Sequence, residues 1–192
     1  MTDDPELKKL IELLDTAAVE GAAMTVELLL LNNPKLAEVV RNGHDYPLWR
    51  AAEQGHTRIV DTLRSYGSRI ASLDNIALRL AVKGGHTDTV RYLLDHGGDP
   101  STWEHDAVWN AFSMRRADIL RMLLQAGGKL KCPVTRLPEW SEHKYSPEME
   151  HVLTEFNLWA DERGRLSRAM DSLTGHERRR PEPPILFPPP KR

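Results

Sequence analysis

Apolar positions in the middle of this chain follow a helical rhythm. Ile59, Val60 and Leu63 stand at i, i+1 and i+4, which places them on one helical face. Upstream, Leu48, Ala51 and Ala52 form a narrower face of small residues that lets neighbouring helices approach closely. Gly55 lies between the two stretches and Gly67 follows the second, and glycine readily takes the left-handed conformation that ends a helix. The pattern predicts two short helices joined by a tight turn.

That pair recurs. A shift of 30 residues aligns Ala51, Ala81 and Ala111, then His56, His86 and Arg116, then Val60, Val90 and Leu120. The same shift aligns Leu63, Leu93 and Leu123, and Gly67, Gly97 and Gly127. A fainter copy lies 34 residues upstream of the second, with Ala17, Ala18, Gly21, Val26 and Leu29 in matching slots. A fixed period of this size marks a repeat array. Neither helix of a unit covers its own apolar stripe, so burial must come from the next unit along.

The units closely resemble the ankyrin repeat. The family's Thr-Pro-Leu-His, two alanines, Gly-His and Leu-Leu run is matched by Tyr46, Pro47, Leu48, Trp49, Ala51, Ala52, Gly55, His56, Leu63 and Gly67. It is matched again by Ile76, Ala77, Leu78, Arg79, Ala81, Val82, Gly85, His86, Leu93, Leu94, Gly97, Gly98 and Asp99. The resemblance implies an all-α solenoid of helix-turn-helix units, a bracing role for His56 and His86 in the turn between helices, and binding to another protein. Two departures stand out. The usual repeat of about 33 residues is cut to 30, as in ankyrin repeats of large viruses and bacteria, and the loss falls where the binding fingers lie. In the fourth unit Arg115 and Arg116 replace Gly-His, and a non-glycine residue in a left-handed turn costs roughly 1–2 kcal/mol.

The expected organisation is an array over 1–130, with units at about 12–36, 46–70, 76–100 and 106–130. A connector over 131–145, a C-terminal capping helix or helices over 146–173 and a disordered proline-rich tail over 174–192 follow. Asp4, Pro5 and Glu6 form a strong helix start, an N-cap acceptor followed by proline and an acid. Leu7, Leu10, Ile11 and Leu14 make this helix an N-terminal cap. Ser146, Pro147 and Glu148 repeat the start signal, and Met149, Val152, Leu153, Phe156 and Trp159 line one face, which Leu166, Met170 and Leu173 extend. That helix either packs on the fourth unit or pairs with a partner or a second copy of itself.

Composition narrows the function. Of 192 residues, 40% are hydrophobic and 28% charged, as in an ordinary soluble protein. The net charge of −2 lacks the basic excess that nucleic-acid binding draws on. No stretch approaches the ~20 apolar residues of a membrane span, and the acidic N-terminus is unlike a secretory signal, so the expected location is cytoplasmic. Cys132 stands alone, which excludes an internal disulfide or a cysteine-based zinc site. His44, His96, His105, His143 and His151 fall in no H-x-x-x-H or H-E-x-x-H spacing, so neither a metal nor a cofactor is expected. There is no G-x-S-x-G elbow or phosphate-cradling loop, and the carboxylates sit at surface slots of a helical repeat.

The candidate site is a surface. The slot that ends the family's Thr-Pro-Leu-His holds Trp49, Arg79 and Trp109, and an arginine between two tryptophans on helices about 8–10 Å apart is placed to stack on either. This ladder packs the repeats together or exposes one edge for binding, flanked by Glu53, Lys83, Ser113 and Met114. In the tail, Arg178, Pro181 and Pro184 form a basic-x-x-P-x-x-P pattern of the kind read by SH3-type grooves. The expected function is a non-catalytic protein-interaction module, adaptor or inhibitor, binding through its concave first-helix face. The alternatives are a viral or bacterial effector that blocks a host factor, and a small enzyme or modifying factor with its active part in 131–173.

Overall fold

The computed structural model describes residues 4–130, 146–156, 158–160 and 166–168; at 154 and beyond 156 only the backbone is described. The expected connector with Cys132 and His143, the side chains of Trp159 and Leu166, and the segment carrying Met170, Leu173 and the tail lie outside what is described.

The first unit contains α1 (Pro5–Glu20), α2 (Ala23–Asn32) and an additional short helix, α3 (Pro34–Arg41). Three helix pairs follow: α4 (Tyr46–Gln54) with α5 (Thr57–Ser65), α6 (Ser72–Gly84) with α7 (Thr87–Asp95), and α8 (Thr102–Ser113) with α9 (Ala117–Gln125). First helices pack in the series α1, α4, α6, α8, and second helices in the series α2, α5, α7, α9. Ala51, Ala52, Ala81 and Ala111 are fully buried between the first helices. Ile59, Val60, Leu63, Val90, Leu93, Ile119, Leu120 and Leu123 carry one continuous core along the second.

Asp4 caps α1 by accepting from the Glu6 and Leu7 backbone N–H groups at 3.1 and 3.4 Å, with Pro5 at the first helical position. The Leu7 and then the Glu6 N–H hydrogen bonds hold its carboxyl below the ordinary aspartate range. A group depressed in this way stabilises the fold above its unfolded pKa of about 3.9 and loses that contribution as pH falls through its folded value. Asp99, through the side chain and backbone N–H of Ser101, and Glu148, through its own N–H and Ser146, shift in the same direction. The melting temperature is therefore expected to fall on acidification below about pH 4. Asp4→Asn keeps the cap without the titration, so a pH series of melts should show a smaller acid-induced drop for that variant.

Gly21, Gly55 and Gly85 end α1, α4 and α6 in the left-handed region at φ 78°, 81° and 82°, and Arg115 occupies the fourth such turn at φ 57°. Each of the three glycine turns is braced from the next unit. His56 Nε2 donates to the Val19 carbonyl at 3.1 Å and His86 Nε2 to the Glu53 carbonyl at 2.9 Å, as the family resemblance implied. In the fourth unit the Arg116 guanidinium takes the place of the imidazole and donates to the Lys83 carbonyl at 3.3 Å.

The shortened spacing is absorbed by an unusual device. Where the chain enters α6, Leu73, Asp74 and Asn75 form a left-handed turn with φ of 44°, 53° and 58°. Trp103, Glu104 and His105 repeat it at the start of α8 with φ of 49°, 52° and 66°. Such residues cost roughly 1–2 kcal/mol apiece, and three buried side chains at the 30-residue period tie this region down. Asp45 Oδ1 accepts from the Arg69 N–H at 2.8 Å, Asn75 Oδ1 from the Asp99 N–H at 2.9 Å, and His105 Nδ1 from the Lys129 N–H at 3.1 Å. Each bond clamps the loop leaving a unit's second helix onto the start of the same unit's first helix.

At the C-terminal end, α10 (Pro147–Glu155) packs on α9 through the buried Met149, Val152 and Leu153, and Arg121 of α9 bonds Glu155 at 3.0 Å. The helix is shorter than the sequence predicts. Leu158–Ala160 (β1) pairs antiparallel with Leu166–Arg168 (β2), so Leu166 belongs to a strand and not to a continued helical face. Apolar runs this short fit either period, and here pairing between the two runs decides.

Candidate functional site

The expected ladder resolves into three different environments. Trp49 is half-buried; its indole N–H donates to Ser72 Oγ at 3.0 Å and its ring meets Tyr46 edge-on at 6.2 Å. Trp109 is only 8% exposed and packs against Phe112 with ring centroids 5.8 Å apart, as part of the core. Arg79 stacks on neither. Its guanidinium lies 4.7 Å from the ring centre of Trp103 and 3.6 Å from Asp106 Oδ2. The side chain leans across the joint to the next unit's left-handed turn, so its partner comes from that turn and not from the matching slot of a neighbouring helix.

Trp103 was not singled out by sequence, yet it is the most exposed of the aromatic residues in this region, at 61%. Its indole N–H donates to Asp74 Oδ2 at 2.9 Å, which fixes the ring between Asp74 and Arg79. Leu73, one period earlier at the same place in the α6 turn, is 62% exposed. The signal available in the sequence was the 30-residue alignment of Leu73 with Trp103 inside a loop too short for a hairpin finger.

Of the flanking positions, Glu53 pairs with Arg50 and is half-buried, while its carbonyl receives His86. Lys83 is exposed. Ser113 bonds the Asn110 carbonyl at 3.1 Å, and Met114, at the end of α8, is exposed. Asp106 is half-buried between Arg79 and Asn110, not at a plain surface slot. His105 is buried and holds the clamp described above; His44 bonds Asp15 at 3.0 Å, and His96 stacks on Tyr92 at 4.1 Å. The proline motif of Arg178, Pro181 and Pro184 lies outside the described residues.

Among the described residues no three His, Cys, Asp or Glu side chains converge as a group that holds a metal, and no helix is long and apolar enough to cross a membrane. A groove of about 320 Å³ runs between the Gly85 turn and the starts of α9 and α10. Arg115 and Arg116 face it together with Asp118 and Glu148, so it carries no dominant charge.

Comparison with known families decides the class. The sequence profile described as Ankyrin repeats (3 copies) matches residues 14–102 and again 48–133. The chain belongs to the ankyrin-repeat family. A comparison with curated proteins finds no significant match. Ankyrin repeats are generally protein-interaction modules, and in this ankyrin protein the exposed apolar side chains divide sharply by helix. In the second to fourth units Tyr46, Leu73, Trp103 and Met114 are the exposed large apolar residues, and all sit on first helices or their caps; α5, α7 and α9 expose none.

Proposed function

We propose that this protein is a non-catalytic adaptor or inhibitor that binds a partner protein in the cytoplasm through its first-helix face, the concave side of an ankyrin array. The observation that carries the reading is the confinement of exposed large apolar residues in the last three units to the first helices and their caps. The contact area comprises Trp49, Arg79, Glu53, Lys83, Ser113 and Met114, with Trp103, Leu73 and Tyr46 as its protruding members, whereas Trp109 belongs to the core behind it. Tryptophan, tyrosine and arginine are the residues on which interfaces concentrate their energy. An effector that blocks a host factor uses the same face and differs only in its partner; the shortened repeats support it. Met149, Val152 and Leu153 of α10 are buried where that helix packs on α9.

The test begins with a partner captured by the full-length protein, whose affinity is then measured for three variants. Trp103→Ala and Arg79→Glu are expected to weaken binding more than tenfold, about 1.4 kcal/mol. Arg91→Glu, on exposed α7, should leave binding unchanged. Melting curves separate the outcomes: if Trp103→Ala binds as wild type, or if the loss follows only the folded fraction, the first-helix face is not the interface.

A further inference from the structure

One surface breaks the rule that second helices are polar outside. On α2, Met24, Leu28 and Leu31 are 70%, 53% and 68% exposed, and their i, i+4, i+7 spacing makes one stripe. Aligned by the repeat, the slots of Met24 and Leu31 hold Arg58, Asp88 and Asp118, and Ser65, Asp95 and Gln125, in the other units. The Leu28 slot holds Thr62, Tyr92 and Met122, of which the last two pack partly against the core. Three exposed apolar side chains in one stripe, two of them at slots polar in every other unit, mark a place made to be covered.

We infer that this stripe is the docking site of the chain's own C-terminal segment, centred on Ile185, Leu186 and Phe187. Charge supports the pairing. The first 30 residues carry seven acids against two lysines, and residues 174–192 carry five lysines and arginines against two glutamates. Glu6, Glu12 and Glu20 are exposed on α1, the helix packed against α2, whereas Arg178, Arg179, Arg180, Lys191 and Arg192 flank the apolar triplet.

Reach also suffices. From α10 to α2 the second helices touch in succession through α9, α7 and α5. Four steps of about 8–10 Å make a path of about 40 Å. The 17 residues from Arg168 to Ile185 span up to about 55 Å when extended. Prolines at 183, 184 and 188 to 190 fix φ on either side of the triplet, which lowers the ordering cost of laying it on a surface. The segment thus closes the array end to end along its outer side, leaving the first-helix face open.

The experiment places a photo-crosslinking amino acid at Met24 in the full-length protein and, separately, at Asp88, the corresponding exposed position of α7. Each is irradiated as an equal mixture of isotopically light and heavy chains, and the linked peptides are identified by mass. The expected result is a link from position 24 to residues 183–190 of the same chain. Position 88 should give none, and Ile185→Ser with Phe187→Ser should cut the yield at least fivefold at unchanged melting temperature. Raising salt to 1 M, where the screening length shrinks to about 3 Å, should reduce the yield in part. Light-heavy links, which would place a second copy on the stripe, overturn the inference. Equal yields at positions 24 and 88, or a link from position 24 that avoids 174–192, overturn it as well.

Discussion

Asn75→Leu is expected to destabilise the protein by about 2–4 kcal/mol, while Asn75→Asp stays within about 1 kcal/mol. Asn75 is buried, sits at φ 58°, and its Oδ1 receives the Asp99 N–H. Leucine shares the branched heavy-atom skeleton, though its methyl groups are bulkier, and it strips that N–H of its acceptor, at a cost of about 1–3 kcal/mol. It also loses the tolerance of asparagine for the left-handed region, worth roughly another 1 kcal/mol. Aspartate keeps the acceptor, and Asp45 already serves in that way one unit earlier. At about 2–4 °C per kcal/mol for a chain of this size, thermal melts should place the leucine variant roughly 5–15 °C below wild type. Amide exchange at Asp99 should accelerate in step. A leucine variant that melts with wild type would show that the clamp contributes nothing.

The second large effect is expected at the far end of the array. Met149 is fully buried where α10 meets α9, and Met149→Ala should cost about 2–5 kcal/mol through lost transfer energy and the cavity left behind. His151 is exposed on the same helix, and His151→Ala should remain within about 0.5 kcal/mol. Urea titrations of both variants check this. Equal midpoints would mean that α10 is not fastened to the fourth unit and does not shield Leu123 and Leu124.

The parts of the structure that were legible in the sequence are those where one residue type does one job. Buried alanines at 51, 81 and 111, and glycines at 55 and 85 in left-handed turns, reveal both period and helix ends because nothing else fits as well. Arg115 was legible as the strained exception. The clamps were not, because aspartate, asparagine and histidine share only a lone pair and look unrelated when aligned. The ladder failed for another reason: the repeat register says that Trp49, Arg79 and Trp109 share a slot, but not that a long arginine leans forward onto Trp103 while an indole in the same slot turns into the core. The end of α10 was illegible because Leu158 to Ala160 and Leu166 to Arg168 are too short to display a period.

The two sets of ties differ in what they connect, and this bears on how such a chain changes length over generations. Each clamp joins residues 24 apart and closes inside one unit, at 45 with 69, 75 with 99, and 105 with 129. Each reach from His56, His86 or Arg116 ends on a backbone carbonyl of the unit before, which any residue supplies. A 30-residue segment duplicated in register therefore arrives with its internal bond intact and with a donor for whatever precedes it. Neither neighbour has to mutate to accept the newcomer, and deletion of a whole unit is equally silent. Inheritance of a length other than a whole period breaks both sets at once, so the register of the array is guarded by its hydrogen bonds as well as by its core.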